Sequence, residues 1–125
     1  MKNLKVLNDN LPAMNGAEYI VQHPIAGLNF SSGVDMIRQE YECFWLVDAI
    51  LLSEIECPPF LESDFYVWTL QRVFEGETPT TKFDLICDDG NGHFIGKTHI
   101  PFSDFAYDKL VLYLENDLLF LPAER

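Results

Sequence analysis

The chain is poor in basic residues: Lys and Arg number 8 against 20 Asp and Glu, so the formal net charge is −12. Residues 1–34 and 118–125 each sum to zero, and all of the net charge lies between Asp35 and Asp117. Because proteins bind the phosphate backbone by displacing counterions with Lys and Arg, this composition argues against direct nucleic-acid binding. The acidic composition favours attraction to a basic groove on another protein; the alternative is that it only keeps the protein soluble.

Long apolar runs, targeting signals and metal-binding cysteine patterns are also missing. The longest apolar run, residues 43–52, contains Asp48 and is shorter than the ~20 residues that cross a bilayer. The N-terminus has no apolar segment of the kind that secretory signals carry. The three cysteines cannot all pair within the chain and match no zinc spacing: Cys43, Cys57 and Cys87. We expect reduced thiols in a cytoplasmic protein, without a cofactor and without membrane contact.

What the chain does contain is enough apolar material for one core, with 48% hydrophobic and 14% aromatic residues. We therefore interpret residues 1–125 as a single domain. Residues 1–15 are predicted to be an irregular arm, residues 16–57 mainly helical, and residues 64–121 an antiparallel sheet.

The apolar period separates a helical part from a strand part. A helical repeat of apolar residues begins after the candidate N-cap at residues 31–32, is interrupted near residues 40–42 and ends at Pro58-Pro59. Residues 17–22 are predicted to form either a short helix or an edge strand. After residue 64 the period becomes two, which predicts strands over 65–74, 81–87, 93–101, 110–114 and 118–121. We predict an α+β fold, in which the N-terminal helices pack on one face of an antiparallel sheet of four to five strands.

The stretch CDDGNGHF, residues 87–94, is the first candidate for a metal or phosphate site. It fails the EF-hand calcium template, because positions 3 and 12 fall on glycine and histidine. It fails the phosphate-loop template, because the nearby lysine lies in a strand pattern with no helix after it. Asp-Gly-Asn-Gly between two alternating runs is instead typical of a hairpin turn. Asp88 and Asp89 are then surface charges at the edge of an acidic sheet.

Asp48 is the only charge in its apolar segment, so we expect it to be partly buried and to need a polar partner. His23, fixed beside Pro24, is the candidate. The pair could be the acid–base site of a small hydrolase, or a structural polar pair that docks the N-terminal arm onto the helix. We favour the structural pair because no Ser or Cys nucleophile motif accompanies it. His93 and His99 lie ~20 Å apart along a strand, so we expect no zinc site.

Residues 53–64 place carboxylates around two apolar side chains, which is typical of a protein-binding element with an aromatic anchor and a polar rim. The alternative is that the apolar tip covers the edge of the core. The predicted partner-binding residues are Glu54, Glu56, Phe60, Glu62 and Asp64, together with Asp88 and Asp89 of the hairpin.

Several short motifs, in a fixed order, carry a likeness to a known family. They are FWLVDAI (44–50), FYVWTL (65–70), DDGNGHF (88–94), PFSDF (101–105) and LYLENDLLFLPAER (112–125). Together they resemble a family of small uncharacterised proteins from phages, plasmids and other mobile elements of bacteria. That resemblance implies a bacterial cytoplasm as the location. It implies no catalytic residue, because the family has no assigned activity.

Three functional hypotheses follow. The first is a non-enzymatic acidic binding protein that inhibits a host nucleic-acid-processing defence machine, of the anti-CRISPR or anti-restriction type, by contacting a basic nuclease or nucleoprotein complex. The second is a structural or regulatory accessory protein, for example a homodimer formed through the sheet edge or the Phe60 loop. The third is a small hydrolase that uses Asp48 and His23.

Overall fold

The computed structural model describes residues 4–10, 19–22, 29–56, 65–91, 93–115 and 118–124, apart from the side chains of residues 9–10 and 51–56. Two α-helices, seven strands and two short 3-10 helices make up the described part. The helices are α1 (Ser32–Glu40) and α2 (Phe44–Glu56), and the 3-10 helices are Leu7–Asn10 and Pro122–Glu124. The strands are β1 (Ile20–Gln22), β2 (Asn29–Ser31), β3 (Phe65–Glu75), β4 (Thr78–Asp88), β5 (Phe94–Ile100), β6 (Lys109–Glu115) and β7 (Leu118–Phe120).

The seven strands form one mixed sheet in the order β1-β2-β7-β6-β3-β4-β5. The α+β class is confirmed, but the prediction of four to five antiparallel strands is wrong in number and direction. Strand β2 pairs with β7 in parallel, while the other strand pairs are antiparallel. Of the three short strands, β7 lies within the predicted strand 118–121, whereas β1 and β2 have three residues each, too few to show a period of two in the sequence. They lie beside one another at one end of the sheet, and β1 resolves the helix-or-strand alternative for residues 17–22.

The core lies on one face of this sheet. Along β3 the side chains of Tyr66, Trp68 and Leu70 are buried, and those of the residues between them are only half-buried. The helices supply apolar side chains to the same buried cluster, among them Ile37 of α1 and Ile50 of α2. The strand period of two and the helical repeat therefore point to a single shared core.

The predicted break between the two helices is confirmed. Helix α1 ends at Glu40, with Tyr41 as its C-cap, and Glu42 follows with a left-handed φ of 53°. The Cys43 amide then donates back to the Arg38 carbonyl oxygen at 3.0 Å. This geometry is a Schellman-type stop, which satisfies the last carbonyls of α1 and lets α2 start in a new direction.

A buried carboxylate caps the start of α1. Glu124 is 7% exposed, and its carboxylate accepts hydrogen bonds from the Ser31 hydroxyl at 2.5 Å, the Gly33 amide at 3.2 Å and the Leu121 amide at 2.9 Å. The Ser31 oxygen in turn accepts from the Val34 amide. A negative group is stabilised here because the first amides of a helix have no partners within the helix. A side chain at position 33 would displace the Glu124 carboxylate from its donors, since a Cβ there would lie 2.6 Å from it.

Arg72 connects β3 to the chain segment between β5 and β6. Its side chain is 12% exposed, and its guanidinium faces the Phe83 ring at 4.5 Å. The guanidinium donates to the Asp108 carboxylate at 2.8 Å and to the backbone oxygens of Thr80, Phe105 and Tyr107 at 2.5, 2.7 and 3.2 Å. One planar cation thus satisfies four acceptors on β4 and on the connection that crosses from β5 to β6.

The N-terminal residues 4–10 are held against β6. Val6 forms a parallel bridge with Lys109, and the Asn8 side chain both donates to the Val111 carbonyl and accepts from the Val111 amide, at 2.9 and 2.7 Å. The Lys5 amide donates to the Asp108 carboxylate at 2.9 Å. Within the described ranges, neither helix is long and apolar enough to cross a membrane.

Replacing Arg72 by Met should lower the free energy of unfolding by about 3–5 kcal/mol, because the Asp108 carboxylate would lose its buried cation. Lys97→Met is the control. Its ammonium group lies 3.9 Å from Asp84 and its side chain is 52% exposed, so a loss of at most about 1 kcal/mol is expected. Urea unfolding at neutral pH measures both values. Equal losses of unfolding free energy in the two variants would contradict the larger contribution expected of the Arg72 network.

The substitution Gly33→Ala should have opposite effects on stability depending on whether residue 124 is Glu or Ala. With Glu124 present, the new methyl group displaces the carboxylate from its donors, and stability should fall by about 1–2 kcal/mol. In a Glu124→Ala background the space is free, and Gly33→Ala should raise stability by about 0.5–1 kcal/mol because alanine favours the helix. The same unfolding measurement on the four proteins tests this. An effect of the same sign in both backgrounds would contradict it.

Candidate functional site

The connection between β4 and β5 is a tight turn built by two carboxylates. Asp88 accepts a hydrogen bond from the Gly90 amide at 2.7 Å, and Asp89 accepts from the amides of Asn91 at 2.8 Å and His93 at 3.1 Å. Gly90 has a left-handed φ of 82°. The hairpin prediction for residues 87–94 is confirmed. Asp88 and Asp89 also organise the backbone of the turn, a role that the sequence analysis did not assign to them.

Hydrogen bonding also changes the acidity of the turn. The Asn91 amide, helped by the ring and the amide of His93, holds the pKa of the Asp89 carboxyl below its ordinary value. The second carboxylate oxygen of Asp89 lies 2.7 Å from His93 Nδ1. Asp89 therefore keeps its negative charge to a lower pH than an ordinary aspartate.

Aromatic side chains flank this turn at the end of the sheet where β3 begins and β6 ends. Phe65 packs edge-on against Tyr113, with 5.1 Å between ring centroids, and a Cβ on Gly90 would lie 2.9 Å from the Phe65 ring. Phe65 is opposite Glu115 in the β3–β6 register, and Asp88 is opposite Phe94 in the β4–β5 register. Phe94 is 66% exposed. We call this group the turn-end surface: Phe65, Asp88, Asp89, Phe94 and Glu115.

The arginines that the structure describes do not offset the acidic charge at the surface. Arg72 is paired with Asp108 and Arg38 with Asp35, and all four side chains are at most 25% exposed. Burial alone would raise the pKa of Asp35, but hydrogen bonds from Tyr19, Gln39 and Arg38, with the Arg38 charge, outweigh it and lower that pKa.

Beyond these pairs and buried Glu124, the exposed or half-buried charged side chains in the described ranges are ten carboxylates and four lysines: Glu40, Glu42, Asp48, Glu75, Glu77, Asp84, Asp88, Asp89, Asp104 and Glu115, against Lys5, Lys82, Lys97 and Lys109.

The other residues predicted for a site have mixed outcomes. Asp48 lies on α2, but its side chain is exposed, so the expectation of partial burial is wrong. The helix turns this position outward, while Val47 and Ile50 point into the core. Its predicted partner His23 lies outside the described residues, as do Phe60, Glu62 and Asp64, and the pairing stays a prediction. Glu54 and Glu56 lie on α2, and their side chains are not among those described.

Phe65, Phe94 and Glu115 are not among the predicted site residues: the first two lie in segments that the sequence predicts only as strands, and Glu115 follows the predicted strand 110–114. The available signal was the period of two. Since Tyr66 and Leu114 face the core, Phe65 and Glu115 must face the opposite side of the sheet. The outward positions of each predicted strand, as well as its apolar positions, therefore carry information about a binding surface.

Other chemically suggestive groups in the described part show no catalytic arrangement. Asp84 contacts His99 Nδ1 at 3.0 Å and Lys97 Nζ at 3.9 Å, and it lines an open groove of about 490 Å³ with Leu4, Gln71, Arg72, Val73, Phe74 and Ile86. No nucleophile stands among these lining residues.

Burial raises the pKa of the Cys43 thiol to about 11, which makes it a poor nucleophile. No group of three His, Cys, Asp or Glu side chains within the described ranges could hold a metal ion.

Comparison with known proteins places the chain in a family without an assigned role. The model of a Family of unknown function (DUF6876) matches residues 5–125, so the chain belongs to that family. No curated protein and no solved structure matches it. The resemblance to an uncharacterised family is thereby confirmed at that level.

The Asp89 carboxyl should titrate in an NMR pH series with a midpoint below the ordinary value of 3.8. In His93→Ala the midpoint should rise but stay below that value, because the Asn91 amide remains. The sign follows from the lowered pKa: the stabilisation from these bonds is present above the ordinary pKa and is lost as pH falls through the pKa of the folded state. A midpoint at or above 3.8 in the unmodified protein would contradict the hydrogen-bonding geometry.

Proposed function

We propose that this member of the family of unknown function is a non-enzymatic binding protein, which uses the turn-end surface to occupy a basic, nucleic-acid-binding site on another protein. The observation that carries the proposal is the internal pairing of Arg38 and Arg72. It directs two strong cations toward internal carboxylates, so that outward carboxylates outnumber lysines by ten to four in the described part of the chain.

Charge supplies the long-range part of the recognition. A surface with ten outward carboxylates and four lysines in its described part attracts a basic groove and repels nucleic acid. Such attraction accelerates encounter more than it strengthens the final complex, and salt weakens it. The acidic composition alone, however, does not select one face of the molecule.

The turn-end surface supplies the short-range part. Phe94 is largely exposed, and Phe65 is half-buried with the Tyr113 ring behind it. Asp88, Asp89 and Glu115 lie around these rings. Aromatic anchors inside a polar rim are the composition that interfaces favour. The carboxylates of Asp88 and Asp89 are already fixed by the turn, so little conformational entropy is lost when a partner binds them.

The partner class that fits best is a nuclease or nucleoprotein complex, because its groove is built to hold a row of negative charges. The motif resemblance to proteins of phages and other mobile elements makes bacterial defence nucleases the first candidates, of the RNA-guided or restriction type. In this proposal the protein competes with DNA for the groove and performs no chemistry itself.

DNA cleavage by a panel of RNA-guided and restriction nucleases, with increasing amounts of the protein, tests this directly. Inhibition of at least one nuclease is expected, and it should weaken at high salt. Neutralising the surface with Asp88→Asn, Asp89→Asn and Glu115→Gln together should raise the inhibitory concentration about tenfold or more. The Asn side chains keep an oxygen for the turn amides, so the hairpin should survive.

A control with the same net charge separates the surface from overall acidity. Glu40→Gln, Glu75→Gln and Glu77→Gln remove three exposed charges away from the turn, two of them at the opposite end of the β3–β4 hairpin. This variant should inhibit like the unmodified protein. Full cleavage by every nuclease at saturating protein would overturn the inhibitory role, and equal loss in both variants would overturn the assignment of the surface.

A further inference from the structure

Strand β5 is an edge strand of the sheet within the described part of the chain. Among the described strands it pairs with β4 alone, so the backbone amides and carbonyls on its other side face no strand of those ranges and could pair with a strand from another copy. The other end of the sheet, β1, has three residues. Lys97 is the charge that could shield the β5 edge, but its ammonium group lies 3.9 Å from Asp84, over the face of the sheet.

Charge makes this edge the place where two copies of an acidic chain can meet. Residues 90–103 contain no Asp or Glu, the longest such stretch between Asp35 and Asp117. They span all of β5 and both of its flanks. Two copies with a net charge of −12 each repel one another over most surfaces, and the repulsion is weakest where the carboxylates are missing.

Exposed aromatic side chains bracket the same strand. Phe94 and Phe102 are 66% and 68% exposed, the two highest values among the large hydrophobic side chains that the structure describes. One lies at the start of β5 and the other just after its end. Between them, Thr98 is exposed although it is opposite Leu85, a fully buried core residue. Apolar and hydrogen-bonding groups are thus aligned along one open edge.

We propose that two copies of the chain form a symmetric dimer by pairing their β5 edges antiparallel, with Thr98 beside the two-fold axis. An antiparallel strand pair is self-complementary, as a two-fold interface requires. In this register Thr98 faces Thr98 of the second copy, a favourable cross-strand pair, and Lys97 faces His99.

Sedimentation equilibrium of the full chain measures the dimer directly. The unmodified protein should have twice the mass of one chain, and salt should tighten the dimer because it screens the repulsion. Thr98→Asp places two carboxylates opposite each other on the axis and should raise the dissociation constant about tenfold or more. Thr78→Asp is the matched control: it makes the same change at an exposed position of β4 that does not pair with β5, and the dimer should persist.

A covalent test checks the register. In a Cys57→Ser background, Thr98→Cys should form a disulfide-linked dimer under mild oxidation, while Thr78→Cys should stay unlinked because the remaining native cysteines, Cys43 and Cys87, are buried. A monomer at every accessible protein and salt concentration would overturn the proposal. A dimer that Thr98→Asp leaves intact would place the interface elsewhere and overturn it as well. Neither result depends on nuclease inhibition.

Discussion

The buried guanidinium of Arg72 is the interaction on which most of this structure depends. It joins β3, β4 and the connection from β5 to β6, and Asp108, its carboxylate partner, also holds the Lys5 amide of the N-terminal segment. Four parts of the chain thus meet at the Arg72–Asp108 pair. Such a centre is costly to desolvate, and it persists because every acceptor around it is used. Its planar geometry, which lysine lacks, explains why a single side chain can do this.

The same pairing has a second effect, on what the surface can recognise. A chain with 20 acidic and 8 basic residues could still carry a local basic patch if its arginines stood outside. Here both described arginines are turned inward, toward Asp35 and Asp108. The architecture therefore increases the acidic character that the composition already has. The same few residues therefore affect both the stability of the fold and the charge of its surface.

Sequence patterns predicted the long elements well, because each has a strong period. The strands β3 to β6, the break between α1 and α2, and the Asp-Gly-Asn-Gly hairpin all follow from local chemistry. The parallel β2–β7 pair does not, since three-residue strands have no period and their partner is about 90 positions away. Nothing in the local sequence indicates that Glu124 is buried, because its donors come from residues 31, 33 and 121 and two of these are about 90 positions away. The outward faces of β3 and β6 are equally hard to assign from sequence, because half-buried apolar residues such as Phe65 resemble core residues.

The parallel contact between β2 and β7 has a consequence for how the chain acquires its structure. Among the described strands, β1 and β2 join the sheet through β7, and the first helix receives its capping carboxylate from the segment just after β7. We therefore expect β1 and β2 to pair with the sheet late in folding, because the β2–β7 contact closes a loop of about 90 residues. Strands β3 to β6 can pair before this contact forms, and β6 then provides the partner strand for β7.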